Sequence, residues 1–299
     1  MQGKSILYYT IALQFFFGCE FLVNSTGYAQ QLPYQGERIV LVADGNEHGK
    51  GDWAATPLSL ALLASKELQD QVVIYAFNSH TWSSNKSHPG ADAQMRESAF
   101  LGAKYFGFKK TKFIEAVNAP NYAIIELTIQ VNKSSAKNPL LILAAGPLEL
   151  IGTALNEADS TKLKYVRVIS HSTWDQKHAD HPEEGEVHSG WTWEKLQDSF
   201  QGNQLQLISL VNEVNGLESL KAPLADYTWL KDASIKEPKP FEKGSWGWLY
   251  SRLEASSTEN EVNPDDVRLI YYLFTGNSNP SLEELQSMLT KPSKWDSKK

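Results

Sequence analysis

The sequence predicts an α/β protein built on an open, mostly parallel β-sheet with helices on both faces. Short apolar runs rich in β-branched residues recur along the chain, and stretches with apolar residues at helical spacing separate them. Strands that alternate with helices of this length form βαβ units, in which neighbouring strands run parallel. The 299 residues, 41% of them hydrophobic, can build a complete core, and we expect one domain over residues 30–290.

The first four predicted elements follow one another closely. Residues 38–43 (RIVLVA) form an apolar run that ends at Asp44, as is typical of a buried strand. Residues 53–67 carry apolar side chains at helical spacing, with Pro57 in the first turn. Residues 72–77 (VVIYAF) predict a second strand and residues 92–105 a second helix.

The middle of the chain continues this alternation. Residues 123–131 and 140–145 (LLILAA) predict strands, and residues 148–156 predict the helix after them. Residues 165–170 (YVRVIS) and 204–210 predict two further strands.

The alternation stops near residue 175. Residues 175–190 are rich in His, Glu and Gly, and three tryptophans lie among polar residues in 226–265. Helices are predicted over 264–274 and 280–289, the second with Ser281 as its N-cap, and residues 291–299 are predicted to be a frayed tail.

The N-terminal residues 1–29 resemble a secretory signal peptide. Lys4 precedes a largely apolar stretch, and Gly27-Tyr28-Ala29 places small residues at positions −3 and −1 of a cleavage site. We therefore expect export to the periplasm or the extracellular space of a bacterium. Cys19 leaves lipidation open as an alternative, whereas cleavage after Ala29 would leave no Cys for a disulfide, a zinc site or a nucleophile.

Charge and hydropathy exclude two classes of partner. The net charge of −7 argues against a nucleic-acid-binding protein, which normally presents a basic face. No second segment is suited to span a bilayer, and no polybasic patch is suited to bind one. We therefore expect a small molecule as the ligand, while the oligomeric state stays open.

Polar side chains follow the predicted strands, where ligands bind in open parallel sheets. Strand ends carry Asp44, the group Asn78-Ser79-His80, and His171 with Trp174, Asp175 and His178 behind it. Because the carboxyl ends of parallel strands share one edge of the sheet, we expect these groups to form one site. Trp82 and Trp174, next to strand ends, are the tryptophans best placed for contact with a sugar ring.

The segment after the first strand suits a hard cation. Asp44, Asn46, Glu47 and Asp52 place four oxygen-bearing side chains within nine residues, and Ca²⁺ takes six to eight oxygen ligands. The alternative is that Asp52 only caps the following helix. Asp265-Asp266 forms a second acidic pair, whose alternative is ordinary negative charge at a helix N-terminus.

Other site chemistries find less support. No Gly-x-Ser-x-Gly turn supports a serine hydrolase, and no Gly-x-Gly-x-x-Gly follows the first strand to bind a dinucleotide. His178, His181 and His188 do not have the spacing of a zinc site.

Several segments, in the same order, resemble a known family. Asp44-Gly45-Asn46-Glu47 followed by Asp52 resembles the opening motif of nucleoside hydrolases. It resembles more closely the motif of a nucleoside-hydrolase-like family that includes a domain of some bacterial cellulose-binding proteins. The stretch LLILAAGPLELIGTAL is similar to the family's second mark, an apolar strand that ends in Gly-Pro-Leu. Residues 77–82 with His88-Pro89, and residues 244–249 and 265–276, fit the same family, so that the resemblance covers most of 37–290.

The resemblance implies an open α/β fold that binds one Ca²⁺ ion and hydrolyses glycosidic bonds. The implied metal ligands are Asp44, Asp52, the backbone carbonyl of Glu149, and Asp265 or Asp266. Asp44 would also be the base that takes a proton from the attacking water. The contacts that we expect with a substrate are made by side chains that follow the strand ends, namely Asn46, Glu47, Asn78, His80, Trp82 and Trp174.

The sequence also departs from the family pattern. Asn46 replaces an aspartate, residues 48–51 are an insertion, and Trp53 occupies a position that is often acidic. Many nucleoside hydrolases use a late His, but this chain has no His after His188. We therefore take His171 as the candidate catalytic histidine, with His178 and His188 as alternatives.

The leading hypothesis is an exported, Ca²⁺-dependent glycosidic hydrolase acting on a nucleoside or a glycan. The second is a non-catalytic carbohydrate-binding protein with the same fold, and the third is an exported scaffold whose polar edge has no ligand. Metal binding discriminates the first hypothesis from the second, because binding through tryptophan rings needs no cation.

Overall fold

The computed structural model describes residues 33–45, 49–81, 89–180, 190–211, 220–291 and 293–296. Its centre is a six-stranded sheet in which every neighbouring pair is parallel. The strands are β1 (Arg38–Ala43), β2 (Val72–Phe77), β3 (Lys112–Glu115), β4 (Leu140–Ala145), β5 (Val166–Ser170) and β6 (Gln206–Ser209). Their spatial order is β3-β2-β1-β4-β5-β6, so the predicted fold class is confirmed.

Helices cover both faces of this sheet. They are α1 (Gly51–Ser65), α2 (Ala91–Phe106), α3 (Pro120–Asn132), α4 (Glu149–Glu157), α5 (Thr173–Lys177), α6 (Trp193–Phe200), α7 (Ser245–Ser256), α8 (Val267–Thr275) and α9 (Leu282–Thr290). Short 3₁₀ turns occur at Ser160–Tyr165, His178–Asp180, Gln201–Asn203 and Leu224–Lys231.

The central strands of the sheet are buried on both faces because they are apolar on both sides. In β1, Ile39 and Leu41 belong to one core cluster, with α1, α2, α7, α8 and α9. Val40 and Val42 point to the opposite cluster, which is formed with α3, α4 and α6. Continuous apolar runs of this kind are expected in parallel sheets covered on both faces.

The prediction of a strand over residues 123–131 is wrong, because this segment lies inside α3. Ala123, Leu127 and Val131 recur at four-residue spacing and are buried, while Ile125 and Ile129 are exposed. The exposed isoleucines make the sequence apolar on two sides, and this gave it the character of a buried strand. Pro120 starts the helix, where a missing backbone N–H costs nothing.

The third strand was not predicted from the sequence. It is β3, a four-residue edge strand in which only Ile114 is buried. Its sequence, Lys-Phe-Ile-Glu, carries charges at both ends, which is common at sheet edges and weakens the apolar signal.

The irregular region after residue 175 contains two helices that were not predicted, α6 and α7. A two-stranded antiparallel sheet, β7 (Ala222–Pro223) with β8 (Glu261–Val262), also lies there. The predicted N-cap of the last helix is confirmed: Ser281 and Glu284 form a reciprocal capping box at the start of α9.

Residues 293–296, which follow α9, are packed where we expected a frayed tail. The backbone N–H groups of Ser293 and Trp295 donate to the carbonyls of Ser65 and Lys66, at 3.2 and 3.1 Å. The Trp295 ring also contacts Tyr34 and Phe274, with ring centroids 5.3 and 5.6 Å away. The packing of this indole against the core explains why residues 293–296 lie against the rest of the fold. Within the described residues, no helix is both long and apolar enough to cross a bilayer.

The strand order reverses between β1 and β4, and a crevice opens there at the carboxyl ends of the strands. The backbone N–H of Asp44 donates to the Ala145 carbonyl at 3.0 Å, and Ser79 N–H donates to the Ala43 carbonyl at 3.1 Å. Gly146 makes this approach possible, because a Cβ there would lie 2.7 Å from the Asp44 nitrogen. The fold therefore presents Asp44 at the point where ligands bind in such sheets.

Candidate metal centre and active site

Three aspartates from distant parts of the chain converge at this crevice. Asp44 follows β1, Asp52 lies in the first turn of α1, and Asp266 directly precedes α8. One carboxylate oxygen of each lies within 4.8 Å of the others. Carboxylate oxygens gathered in this way are the ligands that a hard cation such as Ca²⁺ prefers.

Two local features bring Asp52 to this position. The indole nitrogen of Trp53 donates to the Gly45 carbonyl at 2.9 Å, which ties the start of α1 to the end of β1. Gly51 lies so close to the neighbouring loop that a Cβ would be 2.2 Å from the Asn263 carbonyl oxygen. Trp53, which stands at an often acidic position, thus supports the loop rather than binding a ligand. Asp52 lies within the helix and is not its N-cap, which is Lys50.

A cavity of about 400 Å³ opens onto the three aspartates. Its described lining contains five carboxylates, one histidine and one tryptophan, and no lysine or arginine. These residues are Asp44, Gly49, Gly51, Asp52, His171, Ser172, Trp174, Asp175, Asn263, Asp265 and Asp266.

Burial and mutual repulsion disfavour negative charge at this site. Burial and the charge of Asp266 raise the pKa of Asp44 to about 8. Burial and the charge of Asp44 raise the pKa of Asp52 well above its usual range. A divalent cation would relieve this repulsion and allow all the carboxylates to ionise, so the donor set fits a hard metal ion.

The structure separates the two members of the Asp265-Asp266 pair. Asp266 joins the three-aspartate cluster, and its carboxylate lies 3.2 Å from His171 Nε2. Asp265 instead pairs with the buried guanidinium of Arg268, at 2.7 Å. Of the two aspartates that the resemblance left open as metal ligands, Asp266 is therefore the better placed.

His171 is the predicted histidine that reaches the cavity. Its side chain is 3% exposed, and its Nε2 faces Asp266. Its Nδ1 is buried and has no hydrogen-bond partner. A buried ring nitrogen of this kind leaves one polar atom of the site available for a ligand.

Asp175 is one of the polar residues expected after β5, but no catalytic or ligand-binding role was predicted for it. It lies in the first turn of α5 and lines the cavity, and burial raises its pKa well above the usual range, with Asp44 and Asp266 adding repulsion. Its backbone N–H is capped by Ser172 Oγ at 3.2 Å. The pattern Ser-x-x-Asp directly after β5 is the signal that could have identified it.

Three predicted site residues do not line this cavity. Asn78 is fully buried and donates through Nδ2 to Glu115 Oε1 and to the Asp92 carbonyl, at 3.0 and 3.1 Å. His80 is buried against His178. The Glu149 carboxylate accepts from the Trp191 backbone N–H at 3.1 Å, so its side chain supports α4 and its neighbours.

Asn46, Glu47 and Trp82 lie outside the described residues. Their assignment as substrate contacts therefore stays a prediction. The same holds for the Glu149 carbonyl as a metal ligand.

A curated protein and a solved structure are similar to this chain. No family model matches the chain. An uncharacterized protein, P22, from Formosa agariphila is 26% identical over 261 residues, covering 83% of this chain and 86% of that protein. An inosine-uridine preferring nucleoside hydrolase from Bacillus anthracis matches with a TM-score of 0.41 and 14% identity, over 80% of this chain and 82% of that one. We base the function proposed below on the geometry of the carboxylates.

Proposed function

We propose that this protein is an exported, Ca²⁺-dependent hydrolase of glycosidic bonds, acting on a small sugar-containing substrate in the manner of nucleoside hydrolases. The observation that carries the proposal is the convergence of Asp44, Asp52 and Asp266 within 4.8 Å at the sheet's switch point. A cavity of about 400 Å³ is the size expected for a small-molecule site.

The residues that would hold the ion are Asp44, Asp52 and Asp266. When bound, Ca²⁺ would supply positive charge that orients sugar hydroxyl groups and balances the buried carboxylates. Because Asp265 already faces Arg268, it contributes less to binding the cation.

Asp44 is the proposed general base. Its carboxylate accepts a proton from a water, whose oxygen forms a bond to the anomeric carbon. The bond from that carbon to the leaving nitrogen or oxygen breaks, and the leaving atom keeps the electron pair and takes up a proton. His171 holds Asp266 in place through its Nε2.

The test is calorimetric titration of Ca²⁺ into the metal-stripped protein and into Asp44→Ala. We expect one tight site in the wild type and none in the variant. Asp70→Ala is the matched control, because Asp70 is an exposed aspartate paired with Lys110 at the surface. Nucleosides and glycosides are then assayed for hydrolysis with and without the ion. A wild type that binds no Ca²⁺ would refute the proposal.

Carbohydrate binding without catalysis is the second candidate. Trp174 favours it, because an indole in the cavity wall can stack on a sugar ring. Sugar binding that persists in Asp44→Ala, with no hydrolysis by the wild type, would select this alternative.

Export rests on the layout of residues 1–29, which lie outside the described residues. Cleavage after Ala29 would give a mature chain that begins at Gln30. Mass spectrometry of the secreted protein tests this, and a mature chain that begins at Cys19 would indicate lipidation instead.

A further inference from the structure

Two buried histidines face each other beside the cavity. The Nε2 atoms of His80 and His178 are 2.6 Å apart, and the residues are 1% and 5% exposed. His80 follows β2, while His178 begins the 3₁₀ turn that continues α5. The contact therefore joins two segments that are 98 positions apart in sequence.

The pair supports the tryptophan of the cavity wall. The ring centroid of His178 lies 4.1 Å from that of Trp174, and the His80 ring is stacked on Trp174 at 6.1 Å with an interplanar angle of 25°. Trp174 in turn lines the cavity that contains the three aspartates. Both imidazoles therefore contact the indole that lines the cavity.

The short distance fits a hydrogen bond between the rings. A neutral imidazole has one donor and one acceptor nitrogen, so complementary tautomers form an N–H···N bond. Two nitrogens bound to one zinc ion at about 2.0–2.1 Å in tetrahedral geometry would be roughly 3.3 Å apart. The observed spacing is shorter and favours the direct bond.

The His80 end of the pair is fixed by the same strand ends that carry Asp44. The backbone N–H of Ser79 donates to the Ala43 carbonyl, and Asn78 N–H donates to the Asp44 carbonyl at 3.2 Å. The bond from His80 to His178 extends this anchorage to α5.

We propose that His80 and His178 are positioning residues that hold Trp174 as a flat platform for an aromatic leaving group of the substrate. The aromatic class of the leaving group rests on the proposed hydrolase function, whereas the platform itself does not. His80 thus acts through Trp174 rather than by touching the substrate.

The experiment compares two probes that differ in one ring. The p-nitrophenyl and methyl C-β-D-ribofuranosides, whose carbon–carbon bond to the anomeric carbon is not hydrolysed, are titrated into the full protein with Ca²⁺, and their affinities are expressed as a ratio. Stacking on an aromatic side chain predicts that the nitrophenyl probe binds about 5- to 100-fold more tightly to the wild type. The preference should fall to about one in Trp174→Ala and in His178→Leu.

A conservative variant separates positioning from a general structural role. His178→Gln keeps a donor and an acceptor near the position of Nε2, so it should retain most of the preference. Lys177→Ala, an exposed change on the same helix, should retain all of it. Melting temperature and Ca²⁺ affinity report whether each variant folds.

Each remaining outcome decides between the two proposals. Equal affinity of both probes for the wild type, or no binding of either, would overturn the platform. The same holds if His178→Leu folds, binds Ca²⁺ and keeps the preference. A wild type that binds no Ca²⁺ but still prefers the nitrophenyl probe would refute the hydrolase alone.

Discussion

The two ends of the parallel strands differ in whether their buried charges have partners of opposite sign. At the amino ends, Glu37 is 3% exposed and forms an ion pair with Arg167, while Arg38 donates to Gln130 Oε1 at 2.7 Å. At the carboxyl ends, Asp44, Asp52 and Asp266 gather in a cavity whose described lining contains no lysine or arginine. The buried charge at the amino ends is balanced within the protein, whereas under the proposed function a bound cation would balance the charge at the carboxyl ends.

The largest effect is expected when the buried ion pair at the amino ends is removed. Arg167→Met leaves the Glu37 carboxylate buried without its cation, and we expect a loss of about 3–5 kcal/mol in the free energy of unfolding. Urea denaturation measures it. Lys110→Met is the control, since its pair with Asp70 is 71% and 61% exposed and should contribute below about 1 kcal/mol. Similar small losses in both variants would mean that the buried pair contributes no more than a surface one.

The second effect is confined to the carboxyl ends. In Gly51→Ala the new Cβ would meet the Asn263 carbonyl, so α1 must shift and carry Asp52 away from Asp266. We expect Ca²⁺ affinity to fall about 10- to 100-fold, as for other residues that orient metal ligands. Gly202→Ala, where a Cβ meets open space, is the matched control. An unchanged dissociation constant in Gly51→Ala would show that this close approach does not position Asp52.

The smallest effect concerns the stability of the metal-free protein. The pKa of Asp44 is about 8 in the fold, against an ordinary value of 3.8, so between these pH values the folded state retains a proton that the unfolded state releases. The contribution of this proton to the free energy of unfolding is fully present below pH 3.8 and is lost as the pH rises to 8. Asp44→Asn cannot ionise, so it should be about 0.5–2 kcal/mol more stable than the wild type near pH 8.

Thermal melts from pH 5 to pH 9 in the presence of a chelator measure this difference. Asp70→Asn, at an exposed position, should follow the wild type at every pH. Added Ca²⁺ should remove the advantage of Asp44→Asn, because the ion stabilises only the carboxylate form. A wild-type stability that rises with pH while Asp44→Asn stays flat would reverse the proposed sign.

The fold could be predicted where one physical signal dominated. The strands β1, β2 and β4 are apolar apart from Arg38 at the start of β1, and their bounds agree with the sequence prediction. The helix α3 could not be predicted so simply, since its exposed Ile125 and Ile129 hide the helical spacing of its buried residues. Exposed apolar residues of this kind depend on tertiary context, which a local pattern does not contain.

Some residues of the site could also be predicted from the sequence, whereas others could be identified only from the structure. Asp44 and Asp52 lie close in sequence, and Asp266 was expected from the resemblance, so all three could be proposed before the structure. The structure places Asp266 beside Asp44 and Asp52, whereas Asp265 pairs with Arg268, three residues further along the chain. It also places His80 against His178, through a contact that spans 98 positions, and not in the described lining of the cavity.

The packing of Trp295 on Tyr34 brings the two ends of the described fold together. The two rings are 5.3 Å apart, so the first and last described residues of the fold meet on the same side of the molecule. A short linker could therefore join these ends, and new ends could be opened in a surface loop away from the cavity. Such a circular permutant would keep every strand in its place. The sheet is determined by which strands pair with one another, and this pairing does not depend on where the chain starts.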